Sequence, residues 1–276
     1  MVKGNIKFIK HELIEDFEIV IGTSVNNEFP VHMHQKYCIG IVENGNALIK
    51  HKNLETTLGN GYIYFINPKE PHQIKSVNST GFNHIVLCFG YDFVNHYFSS
   101  NKLNKVTLNF KTPFIYDCFL FEIILFYINN IKGRIEKTNL EYDLMQLFIQ
   151  MYQYFSFPEK ESFYDNKRSY SVMKVCEYLE QNSKKCLSLN EMASIAGLSK
   201  FHFLRTFKDE IGISPYDFQI QAKIKLAREM LLLGYSSSYI AAELDFTDQS
   251  HFTRFFKRNT GITPSKFLKM NLEIQS

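Results

Sequence analysis

Alternation of apolar and polar positions runs through the first hundred residues of the chain and gives way to helical spacing beyond them. The runs FEIVIGT, YCIGIVE, ALIKH, YIYFI and HIVLCFG are β-branched or alternating, and each predicts a strand. Asn44-Gly45 and Asn60-Gly61 stand between such runs, and this residue pair suits tight hairpins because both residues tolerate positive φ. Closely spaced strands without helices between them predict a sandwich or small barrel. The pattern changes near Tyr91, and residues 113–130 and 140–155 carry apolar positions at helical spacing. Residues 156–170, SFPEKESFYDNKRSY, lose periodicity and gain charge, as a linker does. From Ser171 the chain predicts a compact helical domain. Ser188 and Glu191 form a capping box, Gly197 ends that helix, and Ser199 and Asp248 are placed to cap later ones. FQIQAKIKLAREMLLLGY predicts one long amphipathic helix ending at Gly234. The expected organisation is therefore α+β, with domains at 1–155 and 171–276 joined by 156–170.

Two stretches of the helical part repeat each other. LNEMASIAGLSKFHFLRTFKDEIGISPYDF and SSYIAAELDFTDQSHFTRFFKRNTGITPSKF pair Ala193 with Ala241, His202 with His251, Phe203 with Phe252 and Arg205 with Arg254. Phe207, Lys208, Gly212 and Pro215 likewise pair with Phe256, Lys257, Gly261 and Pro264. The offset is 48 residues before the turn and 49 after it, so one residue is inserted at the turn. A duplicated two-helix unit with basic residues on its second helix points to double-stranded DNA.

Composition narrows the class. The 276 residues are 45% hydrophobic and 21% charged, the balance of a folded soluble protein. Of 31 Lys/Arg and 28 Asp/Glu, 14 and 11 lie from Ser169 onward, so the formal excess of +3 sits in the helical part. That permits DNA binding without requiring it. The apolar segment PFIYDCFLFEIILFYI is broken by Asp117 and Glu122 and is short for a bilayer, so it reads as a buried or dimer-forming helix. No N-terminal run has the makings of an export signal. The cysteines at 38, 88, 118, 176 and 186 are odd in number and scattered, which fits a reducing cytoplasm and argues against disulfides or a thiolate zinc site.

A helix-turn-helix lays its second helix in the major groove, so that helix needs an apolar docking side and a polar reading side. Phe203 and Phe207, with Leu204 beside them, can dock the first; Phe252, Phe255 and Phe256 can dock the second. Lys200, Phe201, His202 and Arg205 share the remaining surface of one, and Gln249, Ser250, His251 and Arg254 that of the other. Arg can read guanine and Gln adenine through paired hydrogen bonds, and Ser either base. Lys200, Lys208, Lys257 and Arg258 are expected on phosphates.

The stretch IAAELDFTDQSHFTRFFKRNTGITPSKF resembles the signature of the AraC/XylS transcriptional regulators, and the first copy resembles that family's other helix-turn-helix. The resemblance covers about the last hundred residues. It implies a seven-helix domain whose base-facing side chains are Phe201, Leu204 and Arg205, then Gln249, Ser250, His251 and Arg254. It further implies a cytoplasmic homodimer, not an enzyme, that activates transcription with RNA polymerase as a partner. Asp245 stands where the family usually has Gly, Leu268 where it has Arg, and Lys223 where it has Arg in the linking helix. A differently relaxed second turn is the expected result of the first.

FPVHMHQKYCIGIVENGNALIK and LGNGYIYFINPKEPHQI are similar to the cupin-like sensor domain of many members of the family. His32 and His34 are two apart and share a face on a strand, and His72 follows a Pro-containing turn. Metal cupins place a Glu where this chain has Cys38 and Ile39, so no metal and no other cofactor is expected. His32, His34, Tyr37, Tyr62, Tyr64 and His72 are expected instead to line a pocket for a small-molecule effector. A regulator without an effector, and a metal-dependent cupin enzyme fused to a DNA-binding module, are the alternative readings.

Overall fold

The computed structural model describes residues 5–272 apart from 11–15, 27, 52–53, 99–107, 134–136 and 157–168. The chain divides into two compact units, residues 1–27 with 33–162 and residues 28–32 with 163–276. Most of the expected linker, 156–170, lies outside the described residues.

Eleven strands, three α-helices and a 3-10 helix at Tyr152–Tyr154 make up the described part of the first unit. Strands β1 (Asn5–Lys10), β2 (Phe17–Val25), β3 (Tyr37–Asn44), β6 (Tyr62–Ile66), β8 (Phe82–Phe89) and β10 (Phe114–Tyr116) form one sheet in the order β1-β2-β8-β3-β6-β10. A second sheet holds β4 (Ala47–His51), β5 (Leu54–Leu58) and β7 (His72–Ser76) in the order β5-β4-β7. The short strands β9 (Asn109–Phe110) and β11 (Phe155–Ser156) pair with each other. The architecture is the expected α+β one, with separate sheets where the alternation suggested a sandwich or barrel.

Both Asn-Gly pairs behave differently from the hairpin expectation. Gly45 and Gly61 do take positive φ, 76° and 85°. Yet β3 pairs with β6 and β8 while β4 pairs with β5 and β7, so Asn44-Gly45 carries the chain from one sheet to the other. Asn60-Gly61 makes the same crossing from β5 to β6. The turn chemistry was readable, but which strands it joins depends on long-range pairing.

β3 and β8 lie inside the large sheet and are buried on both faces, which is why they read as almost unbroken apolar runs. One face presents Ile39, Ile41, Ile85, Leu87 and Phe89 to a core shared with α1 (Tyr91–Phe98), α2 (Cys118–Gly133) and α3 (Lys137–Met151). Phe93, Phe121, Ile124, Leu144 and Phe148 supply the helical side of that core. The opposite face carries the unusual buried groups: Cys38, Tyr64, His84 and Cys88. Gly40 stands opposite Tyr64 in the β3–β6 register, and a Cβ there would collide with the tyrosine ring. The first predicted helix starts later than expected, because residues 114–116 extend β6 as a sheet-edge strand. Asp117 then opens α2 by accepting from Leu120 N at 2.9 Å.

The second unit is all helical: α4 (Tyr170–Gln181), α5 (Leu189–Ala196), α6 (Lys200–Ile211), α7 (Pro215–Leu232), α8 (Ser237–Glu243), α9 (Gln249–Thr260) and α10 (Pro264–Leu272). Ser188 and Glu191 make the capping box in both directions. Asp248 caps α9 by accepting from His251 N at 2.7 Å. Ser199 precedes α6 in extended conformation, but its hydroxyl makes no capping bond, contrary to the expectation. Among the described residues, no helix is long and apolar enough to cross a membrane.

Candidate nucleic-acid interface and sensor-side histidines

The repeat seen in the sequence is a repeat of backbone geometry. Leu198 N donates to Ala193 O at 3.0 Å and Gly197 N to Ser194 O at 3.1 Å, closing α5. Phe246 N donates to Ala241 O at 2.9 Å and Asp245 N to Ala242 O at 3.2 Å, closing α8 in the same register. Gly197 adopts φ 67° and Asp245 φ 55°, so the aspartate takes the left-handed position without a different turn. Its carboxylate accepts from Cys186 N at 3.1 Å. The extra residue, Thr247, falls between this turn and the cap of α9.

α6 and α9 then present matching faces. Phe203, Phe207 and Ile211 are buried along α6, as Phe252, Phe256 and Thr260 are along α9. On the outer side of α9 lie Ser250, Arg254 and Arg258, all exposed, with Lys257 and Gln249 exposed beside them. The same positions on α6 are Phe201, Arg205 and Asp209, with Lys208 and Lys200 alongside. Phe201 is 83% exposed, an apolar ring in open solvent. Leu204 is half-buried.

Two local contacts distinguish the heads. Arg205 Nε approaches Asp209 Oδ2 at 3.7 Å, a solvated pair one helical turn apart. The repeat carries no signal for Asp209, because here the copies differ in sign: Arg258 stands in its place. Arg254 lies over the Phe255 ring at 5.7 Å. His251 is half-buried, its ring packed on Phe246 and Phe255, and its Nδ1 accepts from Thr247 N at 3.4 Å. That ring thus fastens the turn as well as facing outward.

Two buried polar side chains tie the heads to α7. Gln219 accepts from Leu187 N at 2.7 Å, at the entry to α5. Lys223, one turn on and 1% exposed, donates to Leu244 O at 2.6 Å, at the exit of α8. Burial lowers the Lys223 pKa, and the Asp245 and Cys186 side chains oppose that shift. The ammonium also lies 5.5 Å from the Phe246 ring centre. Arg228 continues the series by stacking over Phe267 of α10 at 5.3 Å.

The sensor-side residues are divided between core and margin. Tyr37 is wholly buried against Phe89, Tyr91 and Phe110. Tyr64 is buried on the other face, its hydroxyl 3.4 Å from His84 Nδ1, while Tyr62 is half-exposed against Tyr116. His84 was not singled out by sequence, since a lone histidine in an apolar run has no motif. It is buried, its Nε2 has no hydrogen-bond partner, and burial lowers its pKa to about 4. His32, His34 and His72 share one habit: each holds Nδ1 on a backbone carbonyl two residues away, Pro30, Lys36 and Glu70 respectively. Burial also lowers the His32 pKa, against the pull of the Pro30 carbonyl.

A double helix-turn-helix with basic outer faces, carried with a β-sheet unit of this topology, defines a transcriptional regulator with a ligand-binding domain. Residues 192–270 match the helix-turn-helix domain family, and residues 16–108 match the AraC-like ligand binding domain. The chain belongs to the AraC family of transcriptional regulators. It is 26% identical over 235 residues to the uncharacterized HTH-type transcriptional regulator YbfI of Bacillus subtilis (strain 168), covering 82% of each chain. A Staphylococcus aureus (strain COL) HTH-type transcriptional regulator is 23% identical over 246 residues, 83% of this chain but 31% of that longer protein. Among solved structures, unsaturated fatty acid bound ToxT from Vibrio cholerae shares the fold with TM-score 0.56 at 16% identity, over 98% of this chain and 95% of ToxT.

Proposed function

We propose that residues 171–276 read operator DNA through α6 and α9, and that residues 1–155 sense a small molecule and dimerise. The observation that carries the reading is the in-register pair of exposed arginines, Arg205 and Arg254, on helices whose inner faces are buried alike. In the second head Arg254, Gln249, Ser250 and His251 read base edges. In the first, Arg205 reads one base, and Phe201 and Leu204 offer apolar contact to thymine methyls. Lys200, Lys208, Lys257 and Arg258 hold phosphates. Selection of binding sites from random DNA, repeated with Arg205→Ala and Arg254→Ala, tests the assignment: each change should relax a different part of the selected motif. Motifs unchanged by both would refute it.

The protein acts in the cytoplasm as a regulator and not as a catalyst, and it activates by contacting RNA polymerase. α2 and α3 are the dimer face; exposed Phe119 and Phe126, seven residues apart on α2, and exposed Tyr142 and Ile149, equally spaced on α3, support this. Sedimentation of Phe119→Glu/Phe126→Glu should show monomer. The effector is a small molecule bound by the sheet unit. The fatty acid held by ToxT makes an unsaturated fatty acid the first probe, with operator affinity as the readout.

A further inference from the structure

His251 is held twice at the start of α9, and the second hold decides what its ring can offer. Its backbone N–H goes to Asp248 Oδ1 at 2.7 Å, the cap of the helix. Its ring takes a further bond at Nδ1, from the Thr247 N–H at 3.4 Å. Edge-to-face packing on Phe246, with ring centres 5.7 Å apart, and on Phe255, at 4.8 Å, fixes the plane of the ring. A backbone N–H can only donate, so the nitrogen it meets must present a lone pair. A charged imidazole carries hydrogens on both nitrogens and could not accept this bond. In the neutral ring, a lone pair on Nδ1 places the proton on Nε2. His251 therefore has one kind of hydrogen bond left to make, a donated one.

The donor of this bond is the residue by which the two copies differ in length. Thr247 is the insertion between the turn of the second head and the cap of α9. In the first head Leu198 is followed directly by Ser199, the residue that precedes α6, and His202, the counterpart of His251, is exposed. The inserted residue thus supplies the second head with a backbone N–H for which the first head has no equivalent position.

We propose that His251 is a one-way reader in the major groove: its Nε2–H selects a base edge that accepts, guanine foremost, and rejects the amino edge of cytosine. The proposal rests on α9 being a base-reading helix. Guanine presents N7 and O6 as acceptors, whereas cytosine presents the N4 amino group, a donor that would face the Nε2–H. Two donors set against each other leave both unpaired, and an unpaired donor shut away from water is costly. Gln249 and Ser250 beside it can each donate or accept, so they can adapt to either edge. His251, set by Thr247, cannot.

The test uses the full chain and the duplex that it selects from random DNA. Each base pair of the segment whose preferences Arg254→Ala relaxes is exchanged in turn for the other three. At one position of that segment the wild type should prefer guanine to cytosine by about fivefold or more, the worth of one hydrogen bond. His251→Gln keeps a polar side chain whose amide can turn either way. It should bind with that preference levelled, while the other positions keep theirs. His251→Phe should hold the guanine duplex as weakly as the cytosine one. Long-range proton–nitrogen NMR of the histidine-labelled protein at mildly alkaline pH, with the His251 signals identified by their loss in either variant, should show Nε2 protonated and Nδ1 bare. A proton on Nδ1, or a base preference unaltered in His251→Gln, would overturn the proposal. If Arg254→Ala relaxes the selected motif and His251→Gln leaves it intact, α9 is still a reading helix and this assignment alone fails. If neither changes the motif, both fall.

Discussion

The Lys223 ammonium donates to the Leu244 carbonyl at 2.6 Å, in a place where the lysine is 1% exposed. A charge buried this deeply is tolerable only with a partner. Leu244 ends α8, so the bond fixes the entrance to the second reading turn. Replacing Lys223 by Met should keep the volume and lose a charge-assisted bond, leaving the carbonyl unpaired. The expected loss is about 1–3 kcal/mol in urea unfolding, accompanied by weaker operator binding. Lys223→Arg, the residue usual in the family at this point, should retain both.

Asp245 holds a left-handed conformation that glycine would adopt without strain, and repays part of the cost through its bond to Cys186 N. Asp245→Ala keeps the strain and removes the bond, so it should destabilise the helical unit by about 1–2 kcal/mol. Asp245→Gly removes both and should recover at least half of that loss. Equal stability of the two variants would show that strain at φ 55° contributes nothing.

Asp209 places a carboxylate on the first reading face where the second head carries Arg258. Asp209→Ala should therefore tighten DNA binding for all sequences by about 0.2–1 kcal/mol, the range of an exposed charge pair. Lys257→Ala should do the opposite, weakening binding uniformly and lowering the salt slope by about one. Arg254→Ala should cost about 1–3 kcal/mol on the operator and less on unrelated DNA. Fluorescence anisotropy across a salt series separates these outcomes.

His84 should make the sheet unit sensitive to acid. Its folded pKa of about 4 lies below the ordinary 6.5, so the native state binds the proton less readily than the unfolded chain. Stability is fully present above pH 6.5 and falls as pH drops toward 4, by about 3 kcal/mol in total from this group. His84→Phe should flatten that part of the profile in urea titrations at pH 7, 5.5 and 4.5. An unchanged slope would mean that the ring is solvated enough to protonate freely.

Much of the helical unit was legible because its cues are local. The capping box at Ser188, the break at Gly197 and the offset change at Thr247 are each set by a few adjacent residues, and all reappear in the backbone. The sheet unit was legible only strand by strand. Nothing near Asn44 says that β3 and β4 part company, because pairing is decided by β6, β7 and β8, which come later in the chain. β1, β5 and β7 were missed for a related reason: they are short or polar on one side, and their burial comes from neighbours in space. Among candidate site residues, exposure of Arg205 and Arg254 followed from helical periodicity. The burial of Lys223 and the Thr247–His251 bond did not, since each depends on an element distant in sequence or on the conformation of a turn.

Gln219 and Lys223 hold the entry of one reading unit and the turn of the other from positions four apart on α7. A helix advances about 1.5 Å and turns about 100° per residue, so the two anchorages are locked in pitch and phase. Such a molecule behaves as a caliper whose jaws cannot open independently. Inserting a single base pair between the two recognised segments of an operator should therefore abolish simultaneous engagement.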